Sequence, residues 1–528
     1  MKNFFKLILF IPSYLKILTL IKKNLRSNKQ SAKSVIYVEI FNYYPVIVYI
    51  AYFLKAFTSL FPANIQSYYP TSPASLRNFV SRNFFLNQIM YRFFYRYIGS
   101  DKSLTPRLIN NSLVEKIFKK TYLKLKNKKD VLNIQIFKIP VGEFIYDGYL
   151  RENNKATIDV NSELFKKYLL YSIKTFYFWY KKFENPKKVA AIITTHPSYL
   201  IGLVGRIGVY KKIPVYCINN VSIVKLDRNH LYRYSISKDY PAIYKKIPHK
   251  IKKILLKKAK KQIINYSNQF RKKIANKKEN RNDLILSKNN KKNILIAAHC
   301  FTDAVHVMGT NSVFPDHYEW MDFLGKISEK NLYNFYIKVH PTYYDLNIKK
   351  MEVFLKKYKY LKLLPKNSTL GEIVSKIDYV FSVYGTIGRE FPLYNVPVIN
   401  ASTDNLHASY DFNINFQSKK KYANFILNLN KLPKYKITSS QKKKILEYFV
   451  ARYHLHYGLL YNSSYILKVN KLVDQKIIDQ FDLSKVWLDN FNLVRHFEII
   501  EDMKSYIIGK QVCFWADNTG KHSKFLRL

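Results

Sequence analysis

The stretch SKIDYVFSVYGTIGREFPLYNVPVIN, Ser375 to Asn400, decides how this chain is read. DYVFSV is a short apolar run with the look of a buried strand. YGT follows, then a helix-like run with one acid, Glu390, then a second apolar strand ending in PVIN. In an open parallel α/β sheet, ligands bind beyond the carboxyl ends of the strands, where loops lead into helices. Ser382, Tyr384, Gly385 and Thr386 fall at such an edge. A glycine lets the backbone approach an anion closely, the N–H groups of a helix start favour phosphate, and the Thr386 hydroxyl adds a bond. Glu390, about one turn inward, is placed to accept hydrogen bonds from a ribose, as acids do at dinucleotide sites. Pro392 should kink or shorten the helical run.

The neighbouring segments extend the same block. IKVHP (Ile337–Pro341) ends another strand, and Lys338 and His340, two apart, face one side of a regular strand. Together an ammonium and an imidazole suit a diphosphate leaving group, since both offset charge and one exchanges a proton. AAHCFTDAVH puts His299 at the end of the block's first strand, with Asp303 and His306 in the loop after it, and FPDHYEW adds Asp316 and His317. For these loop residues, ligand contact and simple capping are equally good readings. Five of the twelve histidines fall between Asn290 and Asp411, but no HExxH or tight His/Cys spacing points to a metal, and none is expected.

A first α/β block precedes this one. SVIYVEI reads as a strand feeding the helical PVIVYIAYFLKAF, and Val131–Pro140 reads as a further strand. GEFIYDGYLR, just after it, offers Glu143, Asp147 and Arg151. A helix pattern covers Ser162–Lys182, then strand, loop, helix and strand run to Cys217, with His196 at the end of one strand. An acceptor hydroxyl needs a general base, for which Asp147 and His196 are the candidates; Glu143 and Arg151 are candidate acceptor contacts. The plain alternative for Asp147 is a turn cap beside Gly148. Strands alternating with helices in both blocks give an α/β fold with two Rossmann-type parallel sheets. The expected divisions are a basic amphipathic segment (1–33), a first Rossmann-like domain (34–240), a basic helical linker (241–289), a second Rossmann-like domain (290–435) and a helical C-terminal extension (436–528).

Composition bounds the partners. The 528 residues carry 89 Lys and Arg against 35 Asp and Glu, a formal charge of +54. Part of this is a Lys, Asn, Ile, Tyr and Phe bias that places charge on a solvated surface; an anionic membrane surface is the partner it would draw. Nucleic acid is not expected, because no zinc finger, helix-turn-helix or RNP-type motif accompanies the charge. The three cysteines are odd in number and widely spaced, as in a reducing compartment. The first 29 residues are too interrupted, by Lys6, Pro12 and Lys16, to read as a membrane span or a cleaved signal. They read instead as an interfacial segment or as a first helix packed on the protein. Lys245–Arg281, with fifteen basic residues and one acid, reads as a solvated surface helix or a second polyanion-facing element. No GxSxG, Walker loop, kinase motif set or GxGxxG is present.

VGEFIYDGYLR, THPSYLIGLVGRIGVYKKIPVY, AAHCFTDAVH, IKVHP and SVYGTIGREFPLYNVPVIN, in this order, resemble bacterial surface-polysaccharide glycosyltransferases of the GT-B type. The HP step and the S-x-Y-G-T-x-x-x-E element are also similar to those of capsule transferases and of teichoic-type glycerophosphotransferases. The resemblance spans about Val131 to Asp411. It implies two Rossmann-like domains facing across a cleft, the second holding a nucleotide-activated sugar and the first a polysaccharide or lipid-linked acceptor. It implies no bound metal and no cofactor beyond that nucleotide-sugar co-substrate. Lys338, His340, Gly385 and Thr386 would then meet the donor phosphates, His299 and Asp303 would line the donor site, and Glu390 would meet the ribose. The expected location is cytoplasmic, peripheral on the inner face of the membrane. A CDP-linked glycerol or ribitol phosphotransferase and a non-catalytic membrane-associated assembly protein are the competing expectations.

Overall fold

The computed structural model describes residues 2–26, 32–41, 44–71, 84–100, 103–108, 110–219, 222–232, 236–275, 286, 289–340, 344–366, 368, 370–455, 480–489, 491, 493–511 and 513–514. Pro341, of the HP step, and the basic residues after Ala275 lie outside them.

The first half opens with α1 (Lys2–Asn24), β1 (Val35–Glu39), α2 (Tyr44–Leu60), β2 (Asn64–Tyr68), α3 (Phe84–Ile98) and β3 (Ser103–Leu104). Next come α4 (Ser112–Tyr122), α5 (Lys128–Leu132), the hairpin β4 (Gln135–Ile136) and β5 (Ile139–Pro140), α6 (Gly142–Glu152) and α7 (Glu163–Lys182). β6 (Val189–Thr194), α8 (Leu203–Tyr210), β7 (Val215–Ile218), β8 (Ile223–Leu226), α9 (Tyr240–Lys246) and the long α10 (His249–Ala275) complete it.

The second half runs β9 (Asn293–Ala297), α11 (His317–Ser328), β10 (Asn334–Lys338), α12 (Tyr344–Lys357), β11 (Leu361–Leu363), α13 (Leu370–Ile373), β12 (Tyr379–Ser382), β13 (Val398–Asn400) and β14 (Ile414–Asn415). α14 (Lys419–Leu427), α15 (Ser439–Phe449), a π-helical turn (Val450–Leu455), α16 (Gln480–Asp489), α17 (Leu493–Ile508) and β15 (Cys513–Phe514) follow.

The strands form two main sheets. The first has the order β15-β8-β7-β6-β1-β2-β3, parallel from β7 through β3, with β8 and β15 antiparallel at one edge. The second, β11-β10-β9-β12-β13-β14, is parallel throughout. This is the two-sheet α/β architecture that the GT-B resemblance implies. Strand alternation explains the layers: Ile36 and Val38 pack on one face of the first sheet and Tyr37 on the other. Ile294 and Ile296 likewise oppose Leu295 across the second. Both faces are covered, as parallel strands require.

Several expectations need correcting. Val131–Pro140 is no strand. It is the end of α5, which opens on an Asn127–Asp130 capping box, followed by a hairpin whose turn holds Phe137 and Lys138 at φ 51° and 64°. GEFIYDGYLR is a buried helix rather than a loop, because apolar residues surround it and Gly148 lets α7 approach; a Cβ there would meet the Tyr168 hydroxyl at 2.3 Å. The run after Gly385 is two 3-10 turns, Thr386–Arg389 and Phe391–Tyr394, and not an α-helix. Pro392, lacking an N–H, stands at the break. The tail is no separate extension either: β15 adds to the first sheet beside β8, and Lys225 Nζ donates to the carbonyls of Tyr506, Ile507 and Gly509 at the C-terminal end of α17.

Candidate active site between the sheet edges

Each sheet has one place where the strand order reverses. In the first it lies between β1 and β6, in the second between β9 and β12. At such points the loops leave in opposite directions and open a crevice beyond the carboxyl ends. In the first sheet that place holds Glu39, Thr194 and Thr195, with the rings of Phe41 and His196 just beyond, 5.5 Å apart. In the second it holds His299 and Ser382–Thr386.

The two places lie close together. Asp303, in the loop after β9, accepts from Arg151 Nη1 at 3.0 Å and from the Tyr199 hydroxyl at 2.7 Å. Both donors belong to the first domain, and Tyr199 sits at φ 53°, a conformation that side chains other than glycine's rarely adopt. His196 lies within the field of the same pair. Its pKa falls to about 4, through burial first and the Arg151 charge second, against an opposing pull from Asp303. It is therefore neutral at pH 7.

At the second sheet, His299 Nε2 accepts from the Val383 N–H at 3.2 Å and lies 3.1 Å from Ser382 Oγ. Ser382 Oγ in turn accepts from the Gly385 N–H at 3.1 Å. Burial, aided by His340, lowers the His299 pKa to about 3. A neutral ring that accepts at Nε2 carries its proton on Nδ1. The ring stacks on His317 at 4.8 Å and tilts against Tyr384 at 4.6 Å, and the Tyr384 hydroxyl donates to the Ala304 carbonyl. His340 is half-exposed; burial lowers its pKa while Asp303 opposes the shift.

Helix α6 supplies the first domain's other contacts. Asp147 and Arg151, one turn apart, share a face. Asp147 Oδ1 lies 2.7 Å from His306 Nδ1, and Oδ2 accepts the His306 backbone N–H at 3.0 Å. Both side chains are buried. Burial by itself would lower the His306 pKa, but the charge and hydrogen bond of Asp147 outweigh it and raise the value. Among the described residues, His306 Nε2 has no hydrogen-bond partner. Beside it, Asp316 accepts from the Tyr146 hydroxyl at 2.5 Å and Thr157 Oγ1 at 2.6 Å while capping α11 through the Glu319 N–H.

The structure therefore gathers Arg151, His196, His299, Asp303, His340, Ser382 and Tyr384, with Gly385 and the exposed Thr386 at the rim, and seats Asp147 beneath them. The structure gives other surroundings to the remaining residues than the sequence suggested. Lys338 does not converge with His340: its ammonium donates to the carbonyls of Pro365 and Lys366 and lies 3.3 Å from Ser368 Oγ, and the strand ends at Lys338, so alternation no longer governs His340. Glu143 forms a buried ion pair with Arg206 at 2.6 Å, beneath the Phe144 ring. Asp147 is no open loop carboxylate, since His306 occupies both of its oxygens. At Gly385, the phosphate-holding helix start is a single 3-10 turn, and the Gly385 amide is already bound to Ser382. Glu390 lies 3.7 Å from Arg389, whose guanidinium packs over Tyr448 and Tyr453; burial raises the Glu390 pKa against the pull of Arg389.

Sequence reasoning missed Tyr199, Tyr146, Thr157 and Glu39. Tyr199 stands in the quoted THPSY, three residues past His196, and only its partner 104 residues later reveals it. Among the described residues, no group of three or more His, Cys, Asp or Glu is placed to hold a metal ion.

No protein-family profile and no curated protein matches the sequence. Similar solved structures include the β-Kdo 2,7 transferase of Thermosulfurimonas dismutans KpsC, at 15% identity and TM-score 0.32 over 59% of this chain and 89% of that one. The β-Kdo 2,4 transferase of the same protein aligns at 13% identity and TM-score 0.31, over 51% of this chain and 81% of that one. UDP-GlcNAc 2-epimerase from Neisseria meningitidis, bound to UDP-GlcNAc, aligns at 12% identity and TM-score 0.20 over 88% of this chain and 99% of that one.

Proposed function

We propose that this chain is a glycosyltransferase. It would move a sugar from a nucleotide-activated donor, held at the β9/β12 edge, to a growing surface polysaccharide or lipid-linked glycan approaching from α6 and the β1/β6 edge. The observation that carries this reading is the closeness of the two strand-order reversals, joined through Arg151, Tyr199 and Asp303. Of the ordered motifs, THPSYL, AAHCFTDAVH and SVYGTIGREF stand at the ends of β6, β9 and β12, and with VGEFIYDGYLR on α6 they add the family resemblance.

The chemistry follows from the charge states. The Arg151 guanidinium sets positive charge close to where a departing nucleotide would develop negative charge. His299, neutral, offers Nδ1–H as a hydrogen-bond donor. His340 is the half-exposed histidine of the group, with a pKa that burial lowers, which makes it the residue fitted to exchange a proton with an acceptor hydroxyl or leaving group. Asp147 acts through His306 and is a positioning residue here.

A thermal-shift panel of UDP, GDP, CMP and CDP tests the reading. One nucleotide should stabilise the protein, by about 2.7 kcal/mol at a hundredfold excess over Kd. Stabilisation by none of the four would remove the reading. A CDP-only response with phosphoglycerol or phosphoribitol transfer would replace it with the CDP-linked phosphotransferase.

A further inference from the structure

We propose that the outer face of α1 and α3 docks the protein on an anionic lipid surface. This inference is independent of the reaction proposed above. The first hundred residues of the sequence contain thirteen Lys or Arg and one acid, Glu39. That acid is buried at the end of β1, where Thr194 and Thr195 bind its carboxylate. No carboxylate of this segment therefore reaches the surface.

α1 shows why the surface is two-sided. Tyr14, Ile17, Leu18 and Ile21 recur at helical spacing and are buried. They pack α1 along α3, where the Tyr14 hydroxyl donates to the Met90 carbonyl and Lys22 lies over the Tyr97 ring. Position 14 meeting 90 and position 22 meeting 97 makes the two helices run the same way. Their outward faces are not polar, as a solvated helix pair would have them. Leu9 is 78% exposed, Leu15 56% and Phe93 47%, with Ile11 and Ile89 beside them in sequence. The other exposed side chains there include Lys16, Lys22, Lys23, Arg92 and Arg96. α16, which also packs on α1, brings one exposed acid whose side chain is described, Asp489.

Exposed leucine and phenylalanine ringed by cations of one sign match the acyl–headgroup boundary of an anionic bilayer, where apolar groups insert and ammonium and guanidinium groups meet phosphate. Among the described residues no helix is long and apolar enough to cross a membrane, so the pair would lie on the surface. α10 is the other basic helix, but among its described side chains the outward face carries lysines with Ile254 and Ile264 as the large exposed apolar ones. It supplies attraction without an inserting surface.

The test is flotation of the full chain with vesicles of phosphatidylcholine alone or mixed with phosphatidylglycerol, at low and high salt. A charge of +54 would draw the protein to any anionic vesicle, so the variants decide. Lys22→Glu/Lys23→Glu should weaken binding to phosphatidylglycerol vesicles by about 25-fold or more, at about fivefold per lysine. Leu15→Gln/Phe93→Gln should abolish the binding that survives high salt. Lys257→Glu/Lys258→Glu, on α10, should retain that salt-resistant binding. Phe93→Trp supplies a reading independent of how the substituted helices pack: its fluorescence should be quenched by brominated phosphatidylglycerol vesicles. Absence of that quenching overturns the proposal. So does loss of salt-resistant binding in the α10 variant alone, or a dimer that Leu15→Gln/Phe93→Gln dissociates without changing lipid binding.

Discussion

At the reversal point of the first sheet, Glu39 accepts hydrogen bonds from Thr194 Oγ1 at 2.8 Å, the Thr195 N–H at 2.7 Å and Thr195 Oγ1 at 2.8 Å. At the matching point of the second sheet, His299, Ser382 and the amides of Val383 and Gly385 bind one another, while His340 and Thr386 stay open to solvent. The two places are equivalent in topology and opposite in how their side chains are engaged. The first is closed by the chain's own carboxylate and threonines. The second keeps an imidazole N–H and a half-exposed histidine at its rim. Sheet topology thus marks two equivalent places, and the side chains decide how much hydrogen-bonding capacity each leaves open.

The largest expected effect lies where the halves meet. Asp147→Asn leaves the buried His306 without its counter-charge and should cost about 3–5 kcal/mol in urea unfolding at pH 6. The sign follows from the raised His306 pKa: the pair's contribution is full below the unfolded value of 6.5 and is lost as pH rises through the folded one. The deficit should therefore shrink in alkaline buffer. A variant within 1 kcal/mol of the wild type at pH 6 would mean that the pair is not ionised.

Next comes the closed edge. Burial raises the Glu39 pKa from 4.5 to about 7, only partly offset by the three bonds from Thr195 and Thr194. The folded state holds this proton more tightly, so wild-type stability contributed here is present below pH 4.5 and lost as pH rises through 7. The change is about 3 kcal/mol. Glu39→Gln should match the wild type in acid and exceed it near pH 7.5; equal urea midpoints at both pH values would break the contrast between the edges.

At the open edge, His299→Ala should weaken binding of the stabilising nucleotide about tenfold, roughly 1.4 kcal/mol by calorimetry. Because His299 is neutral above pH 4, affinity between pH 5 and 8 should show no step that this variant removes. The smallest effect belongs to Asp303→Asn. Its partly exposed bond to Arg151 is worth at most about 1 kcal/mol of stability.

The second sheet was legible because NILIA, NFYIK and YVFS are apolar runs bounded by polar residues, and such runs announce buried parallel strands. The edge strands were not: NIQSY is half polar, and Ser103–Leu104 and Cys513–Phe514 are two residues each, too short for any period. Within the site, strand ends gave His196, His299 and Ser382, since position along a strand fixes which residues reach the edge. Partners distant in sequence stayed hidden. Nothing local ties Asp147 to His306 or Glu143 to Arg206, and alternation could not tell that the Pro365–Ser368 carbonyls and hydroxyl would claim Lys338.

β15 has a consequence for how the molecule is made. Its partner β8 ends at Leu226, yet the strand that covers that border spans Cys513–Phe514, 287 residues later (513 minus 226). At a ribosome adding about 5–20 residues per second, the border of β8 waits roughly 15–60 seconds for its cover. During that interval it is a raw hydrogen-bonding template, the kind on which nascent chains stick to one another. The strand that seals this border of the first sheet is made long after the strand it covers.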